Sequence, residues 1–143
     1  MPKASPREIE SFLADIFPQI AGMNLRVEEV GDRTARVRMP IDEGNLRPGG
    51  TVSGPTLFWL ADLGLYVAVL AAVGTETGAM AVTSNATVNF LSKPELADLI
   101  AEVRLMKVGR RLAVGEVAIY SEGKEDMVAH ITGAYALPSA RAA

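Results

Sequence analysis

Asp62 is a carboxylate set in the most apolar stretch of the chain, Pro55 to Val73, with Phe58, Trp59, Leu65 and Tyr66 as its neighbours on a helix. Burying a charged carboxylate is unfavourable unless it is well partnered. Carboxylates held in such places collect at sites that do chemistry. The plain alternative is a structural, hydrogen-bonding aspartate. Gly54 stands eight residues earlier, where Pro55 opens the helix. A helix start offers unpaired N–H groups and a partial positive charge. Lacking a side chain, Gly54 lets a carbonyl come close, so its N–H is a candidate oxyanion donor; otherwise it is a turn glycine. Eight helical residues rise roughly 12 Å, too far for one carbonyl to meet both groups within one subunit.

Other residue types invite a reading. Ser53 suits a helix N-cap and has no general base beside it, so it is not read as a nucleophile. Pro55 fits the first helical turn but removes one N–H donor. Trp59, the sole tryptophan, suits either the lining of a ligand pocket or the core. Arg110 and Arg111 follow Gly109 in a hairpin turn. Guanidinium groups match phosphate geometry, although charged turn tips also serve solubility. Thr83 reads as a strand threonine and Asn45 as a turn former. His130, the sole histidine, sits mid-strand and reads as structural. The chain has no cysteine, which excludes disulfides, thiolate catalysis and cysteine-based zinc sites. No set of His and carboxylate residues has metal-ligand spacing.

These residues need elements to position them. Ser5-Pro6-Arg7-Glu8 matches a capping box with Pro at the first helical position. Ile9, Phe12, Leu13, Ile16 and Phe17 then share one helical face, and Pro18 and Gly22 mark the end. Strands are expected over Leu25–Val30 and Thr34–Met39, around the turn pair Gly31-Asp32. Residues Asp42 to Gly54 read as an irregular, Gly- and Pro-rich loop. After the long helix come four strands in hairpin series: Met80–Leu91, Leu99–Val108, Leu112–Tyr120 and Met127–Leu137. In the first, alternation sets Val82, Ala86, Val88 and Phe90 on one face and Thr83, Asn85, Thr87 and Asn89 on the other. Hairpins imply an antiparallel sheet. A helix apolar on nearly all sides needs a strongly curved sheet wrapped around it, an α+β arrangement. Residues 1–22 form an N-terminal helical segment and 138–143 a tail, within one domain spanning 1–143.

Composition narrows the function. A chain of 143 residues is of single-domain length. Its net charge of −3 without a basic run argues against nucleic-acid binding. Aromatic residues make up 6%, so the core must be chiefly aliphatic. Asp62 interrupts the one stretch that approaches membrane-spanning length, which favours a buried helix over membrane insertion. The opening MPKASPREIE has no apolar signal segment, and this, with the absence of cysteine, points to the cytoplasm.

The run from Asn45-Leu46-Arg47-Pro48 through Ser53-Gly54-Pro55 to Leu60-Ala61-Asp62 resembles the phenylacetate-degradation branch of hotdog-fold thioesterases. That family shows an Asn, a glycine-containing loop, His-Gly-Gly, then Leu-Ala-Asp on the helix. Asn89-Phe90-Leu91-Ser92-Lys93-Pro94 and Gly109-Arg110-Arg111-Leu112-Ala113 resemble two further segments, so the likeness covers roughly residues 20–137. It implies a hotdog fold and hydrolysis of an acyl-CoA to a carboxylic acid and free coenzyme A. It implies a site split across a dimer interface, Gly54 from one subunit and Asp62 from the other. Asp62 would be general base or nucleophile, Asn45 would orient the loop and Thr83 would help hold the attacking water. It also implies a homotetramer built as a dimer of dimers. Coenzyme A enters only as part of the substrate, and no cofactor is expected. The chain departs from the pattern in this loop: the stretch between Asn45 and Ser53 is about two residues longer than usual, and Ser53 and Pro55 replace the His and the second Gly. That leaves a non-catalytic acyl-ligand binder as the alternative.

Overall fold

The computed structural model describes residues 1–18, 24–41, 46–47 and 51–138. Its centre is α2 (Gly54–Val73), capped by Ser53 and buried without a break from Leu63 to Ala71. A helix with no polar face there has to be covered all round. The helix is long and apolar enough to cross a membrane, but here it is largely buried inside the fold as the core helix packed on the sheet. Gly74, at φ 90°, ends it, a conformation that a residue with a Cβ rarely adopts. A short helix, α3 (Thr75–Gly78), follows, where the sequence offered no element.

α1 (Pro6–Ile16) forms as its capping box requires, with Ser5 and Glu8 each bonding the other's backbone N–H. Of its expected apolar face, Ile9 and Leu13 are buried and Phe12 packs against the core, whereas Ile16 and Phe17 keep 40% and 36% of their surface exposed.

The main sheet has six antiparallel strands in the order β1-β2-β6-β7-β8-β5. These are β1 (Arg26–Val30), β2 (Thr34–Met39), β5 (Val82–Phe90), β6 (Leu99–Val108), β7 (Leu112–Ser121) and β8 (Met127–Ala136). β3 (Leu46–Arg47) and β4 (Thr51–Val52) form a separate two-stranded ladder, so the segment expected to be irregular holds a small hairpin. The expectation of four strands in hairpin series is also corrected. β6, β7 and β8 do follow one another, but β5 lies at the far edge beside β8 and does not pair with β6. Alternation identifies a strand but says nothing about which neighbour it takes. With that correction, the layout is the expected α+β hotdog architecture.

Helix and sheet approach closely at one point. Gly115 and Gly133 stand opposite each other on β7 and β8. A Cβ on Gly115 would lie 2.9 Å from Leu65 of α2 and 2.8 Å from the backbone oxygen of Arg104. On Gly133 it would lie 3.0 Å from Leu65. Two in-register glycines thus make a notch that receives the Leu65 side chain. The outer face of the sheet is charged instead: Arg38 meets Glu28, Asp98 and Glu122, and Arg104 meets Glu116.

Candidate active site

Asp62 projects from α2 toward β5 and β8, half-buried. Tyr66, four residues on, shares its helix face. Thr83 donates its hydroxyl to Asp62 Oδ1 at 2.9 Å. The Tyr135 hydroxyl lies 2.9 Å from the same oxygen and 3.0 Å from the Asp62 backbone carbonyl. Among the described residues, no hydrogen bond reaches Oδ2.

A β-bulge brings Thr83 to this position. Thr83 stands opposite Tyr135, and the next pair is Asn85 with Ala134, so Ser84 has no partner in the register. Directly opposed residues share a face. Thr83 therefore lies with Tyr135 on the helix side, as do Ala86, Val88 and Phe90 opposite Gly133, Ile131 and Ala129. This corrects the strict alternation expected for the strand. One extra residue reverses the parity, so Val82 turns outward and Thr83 inward. Bulges often aim side chains beside functional sites.

Tyr135 is buried, and burial, more than any hydrogen bond, pushes its phenol above the ordinary value. Its ring stacks on Tyr66 with centroids 5.5 Å apart and planes 15° apart. Tyr66 in turn meets the edge of Phe17 and donates its hydroxyl to the Gly78 carbonyl at 3.0 Å. Tyr135 was not among the residues singled out from sequence. The signal available was a tyrosine in register with the inward positions of β8, since a buried phenol needs a partner for its hydroxyl.

At the start of α2, Ser53 Oγ accepts from the Thr56 N–H at 3.2 Å and lies 2.8 Å from Thr56 Oγ1. The hydroxyl is thus engaged in capping, as its place before Pro55 predicts, and among the described residues it bonds no base. Pro55 is exposed in the first turn. A Cβ on Gly54 would make ordinary contact with Phe90, 3.4 Å from its Cζ. Phe90 is 57% exposed, so Gly54 opens beside a bare aromatic ring, a neighbour that sequence reasoning had not assigned to the site. Gly54 and Asp62 remain two helical turns apart, as expected. Trp59 packs half-buried against the core, three residues before Asp62.

The remaining candidates lie elsewhere. Asn45 falls outside the described residues. Arg110 and Arg111 occupy the exposed turn between β6 and β7. Arg110 lines a groove with Lys3, Val73 and Thr77 at the C-terminal end of α2, the opposite end from Gly54. Twenty helical residues separate those ends by roughly 28 Å, so a single chain does not bring the arginine turn to the helix start. His130 Nε2 lies 2.9 Å from Glu116 Oε1, within an ion cluster on the outer face, consistent with its structural reading. No cluster that could hold a metal ion occurs among the described residues.

One helix thus carries a carboxylate held by two hydroxyls and, two turns away, an N-terminus capped by Ser53. Known proteins resemble the chain in both sequence and fold. A family model described as the thioesterase superfamily matches residues 49–128. A Halobacterium salinarum protein named as a candidate esterase is 30% identical over 114 residues, covering 78% of this chain and 74% of its own length. The crystal structure of a candidate thioesterase from a Silicibacter species superposes with a TM-score of 0.88 at 41% identity, over 96% of this chain and 94% of that one. A mutant form of the phenylacetic acid degradation protein PaaI from Thermus thermophilus gives a TM-score of 0.71 at 25% identity, over 83% and 97%. With the family match spanning the core helix and strands β5, β6 and β7, the chain is a hotdog-fold member of the thioesterase superfamily.

Proposed function

We propose that the protein hydrolyses an acyl-CoA thioester to a carboxylic acid and free coenzyme A, at a site completed by a second copy of the chain. The observation that carries this reading is the Asp62 carboxylate, bonded at Oδ1 by Thr83 and Tyr135. Asp62 acts as general base. Oδ2 takes a proton from water as the water oxygen bonds to the thioester carbon. The carbonyl oxygen becomes negative against the Gly54 N–H at a helix start. Collapse of that intermediate breaks the C–S bond, and the leaving thiolate receives the proton from Asp62. Thr83, whose hydroxyl oxygen still has lone pairs to offer, helps hold the water. Ser53 keeps the helix start in shape, while Pro55 and Trp59 border the acyl group, and the Arg110 and Arg111 turn, at the other end of the helix in one chain, meets coenzyme A phosphates from a neighbouring copy.

The axial separation of Gly54 and Asp62 supports the split between subunits, because both act on one carbonyl only if they come from different chains. β5 supports it too. It is an edge strand exposed along most of its length, and its surroundings expose Phe58, Met80, Val82, Phe90 and Leu91 at 42%, 72%, 61%, 57% and 57%. An unpaired apolar edge invites another strand. The reading includes a dimer across this edge and a tetramer made of two such dimers.

The tie between Ser53 and Thr56, together with the donor lost at Pro55, favours a second reading: a non-catalytic binder of acyl-CoA. Thiol release from a panel of short, medium, long and aromatic acyl-CoAs separates the two. Turnover with one class supports the thioesterase. Binding by calorimetry with no thiol from any member supports the binder.

A further inference from the structure

The two buried tyrosines beside α2 use their hydroxyls differently. Tyr66 donates to the Gly78 carbonyl, a common use for a buried phenol. Tyr135 instead lies between two acceptors of one residue, 3.0 Å from the Asp62 carbonyl and 2.9 Å from its Oδ1. One hydroxyl proton shared between main chain and carboxylate ties the side chain to its own helix. The Tyr135 ring is itself fixed: it stacks on Tyr66, and its strand neighbours are Thr83 on one side and Ala113 on the other. Burial keeps the phenol protonated and therefore a donor. Oδ1 thus receives two hydroxyls, from β5 and from β8.

We propose that Tyr135 is a positioning residue, holding the Asp62 carboxylate by Oδ1 so that Oδ2 is presented to the reacting water. The inference rests on the reading of Asp62 as the catalytic carboxylate. Tyr135 itself does not touch the substrate; it acts through Asp62. Losing it leaves the carboxylate chemically intact but free to rotate, so the chemical step slows while substrate binding does not change.

The test uses Tyr135→Phe in the full chain, which keeps the ring, the stack and the buried area. kcat and KM are measured with the best substrate of the acyl-CoA panel, alongside Asp62→Asn. The Asp62 carboxylate stretch is isolated by infrared difference between each protein and its Asp62→Asn counterpart. Tyr135→Phe is expected to lower kcat about tenfold, as loss of one hydrogen bond would, with KM within about twofold and the carboxylate band displaced. Tyr66→Phe, which also deletes a buried hydroxyl and keeps its ring, is the control for general loosening and should leave kcat and the band unchanged. An unchanged kcat and band in Tyr135→Phe, with Asp62→Asn inactive, overturns the positioning role and leaves the reading of Asp62 standing. An equal loss in Tyr66→Phe overturns it as well. Full activity of Asp62→Asn removes the catalytic reading itself, and this inference with it.

Discussion

Two hydroxyls from different strands meet at one oxygen of Asp62, and one of them comes from a phenol that burial keeps neutral. Tyr66 and Tyr135 both have their ionisation pushed upward by burial. In the unfolded chain they would lose their protons near about pH 10, while the folded protein still holds them. Stability contributed by the neutral phenols is therefore fully present below about pH 10 and lost as pH rises beyond it. Melting temperature followed from about pH 8 upward should fall through this range, and fall less steeply in Tyr135→Phe; identical curves would count against the burial argument. At this scale the sequence was informative where chemistry is local. Asp62, Gly54 and Ser53 could be proposed from type, spacing and helix position alone. Thr83 was legible as a candidate, but its face was not, because the unpaired Ser84 that turns it inward leaves no mark in an alternating run. Tyr135 was missed because its contact joins positions 73 residues apart.

Among the elements, the long helix and its sheet fit through the glycine notch at Leu65. Gly115→Ala places a Cβ against the Arg104 backbone oxygen as well as Leu65, so side-chain movement alone cannot relieve it. The substitution should destabilise the fold by about 1–3 kcal/mol, seen as a lower denaturant midpoint with an unchanged slope. A midpoint equal to the parent's would mean that the notch has slack. The helix caps and the β6-β7-β8 hairpins were readable because turn and cap residues act on their own neighbourhood. The place of β5 was not, since its partner β8 lies far along the chain and pairing across a sheet is decided by the whole layout. The β3–β4 ladder escaped notice for a different reason: two-residue strands are too short to show a period.

For the whole molecule, the open edge at β5 is the feature that most needs a partner. Val82 is exposed in the single chain, so Val82→Asp should fold normally. If this edge is the dimer interface, sedimentation of the variant should move toward the monomer and thiol release should fall with it. A parent protein that sediments as a monomer would undo the shared site altogether. The outer face carries the Arg38 and Arg104 ion clusters instead.

The central claim is that Asp62 performs the chemistry, and thiol release by the parent and by Asp62→Asn, across the same acyl-CoA panel, tests it most directly. Asparagine keeps the size of the side chain and removes its capacity to take a proton. The account predicts turnover of at least one acyl class by the parent and a loss of at least about a hundredfold in the variant, the scale of a general base, with folding intact. Equal turnover by both proteins would contradict it.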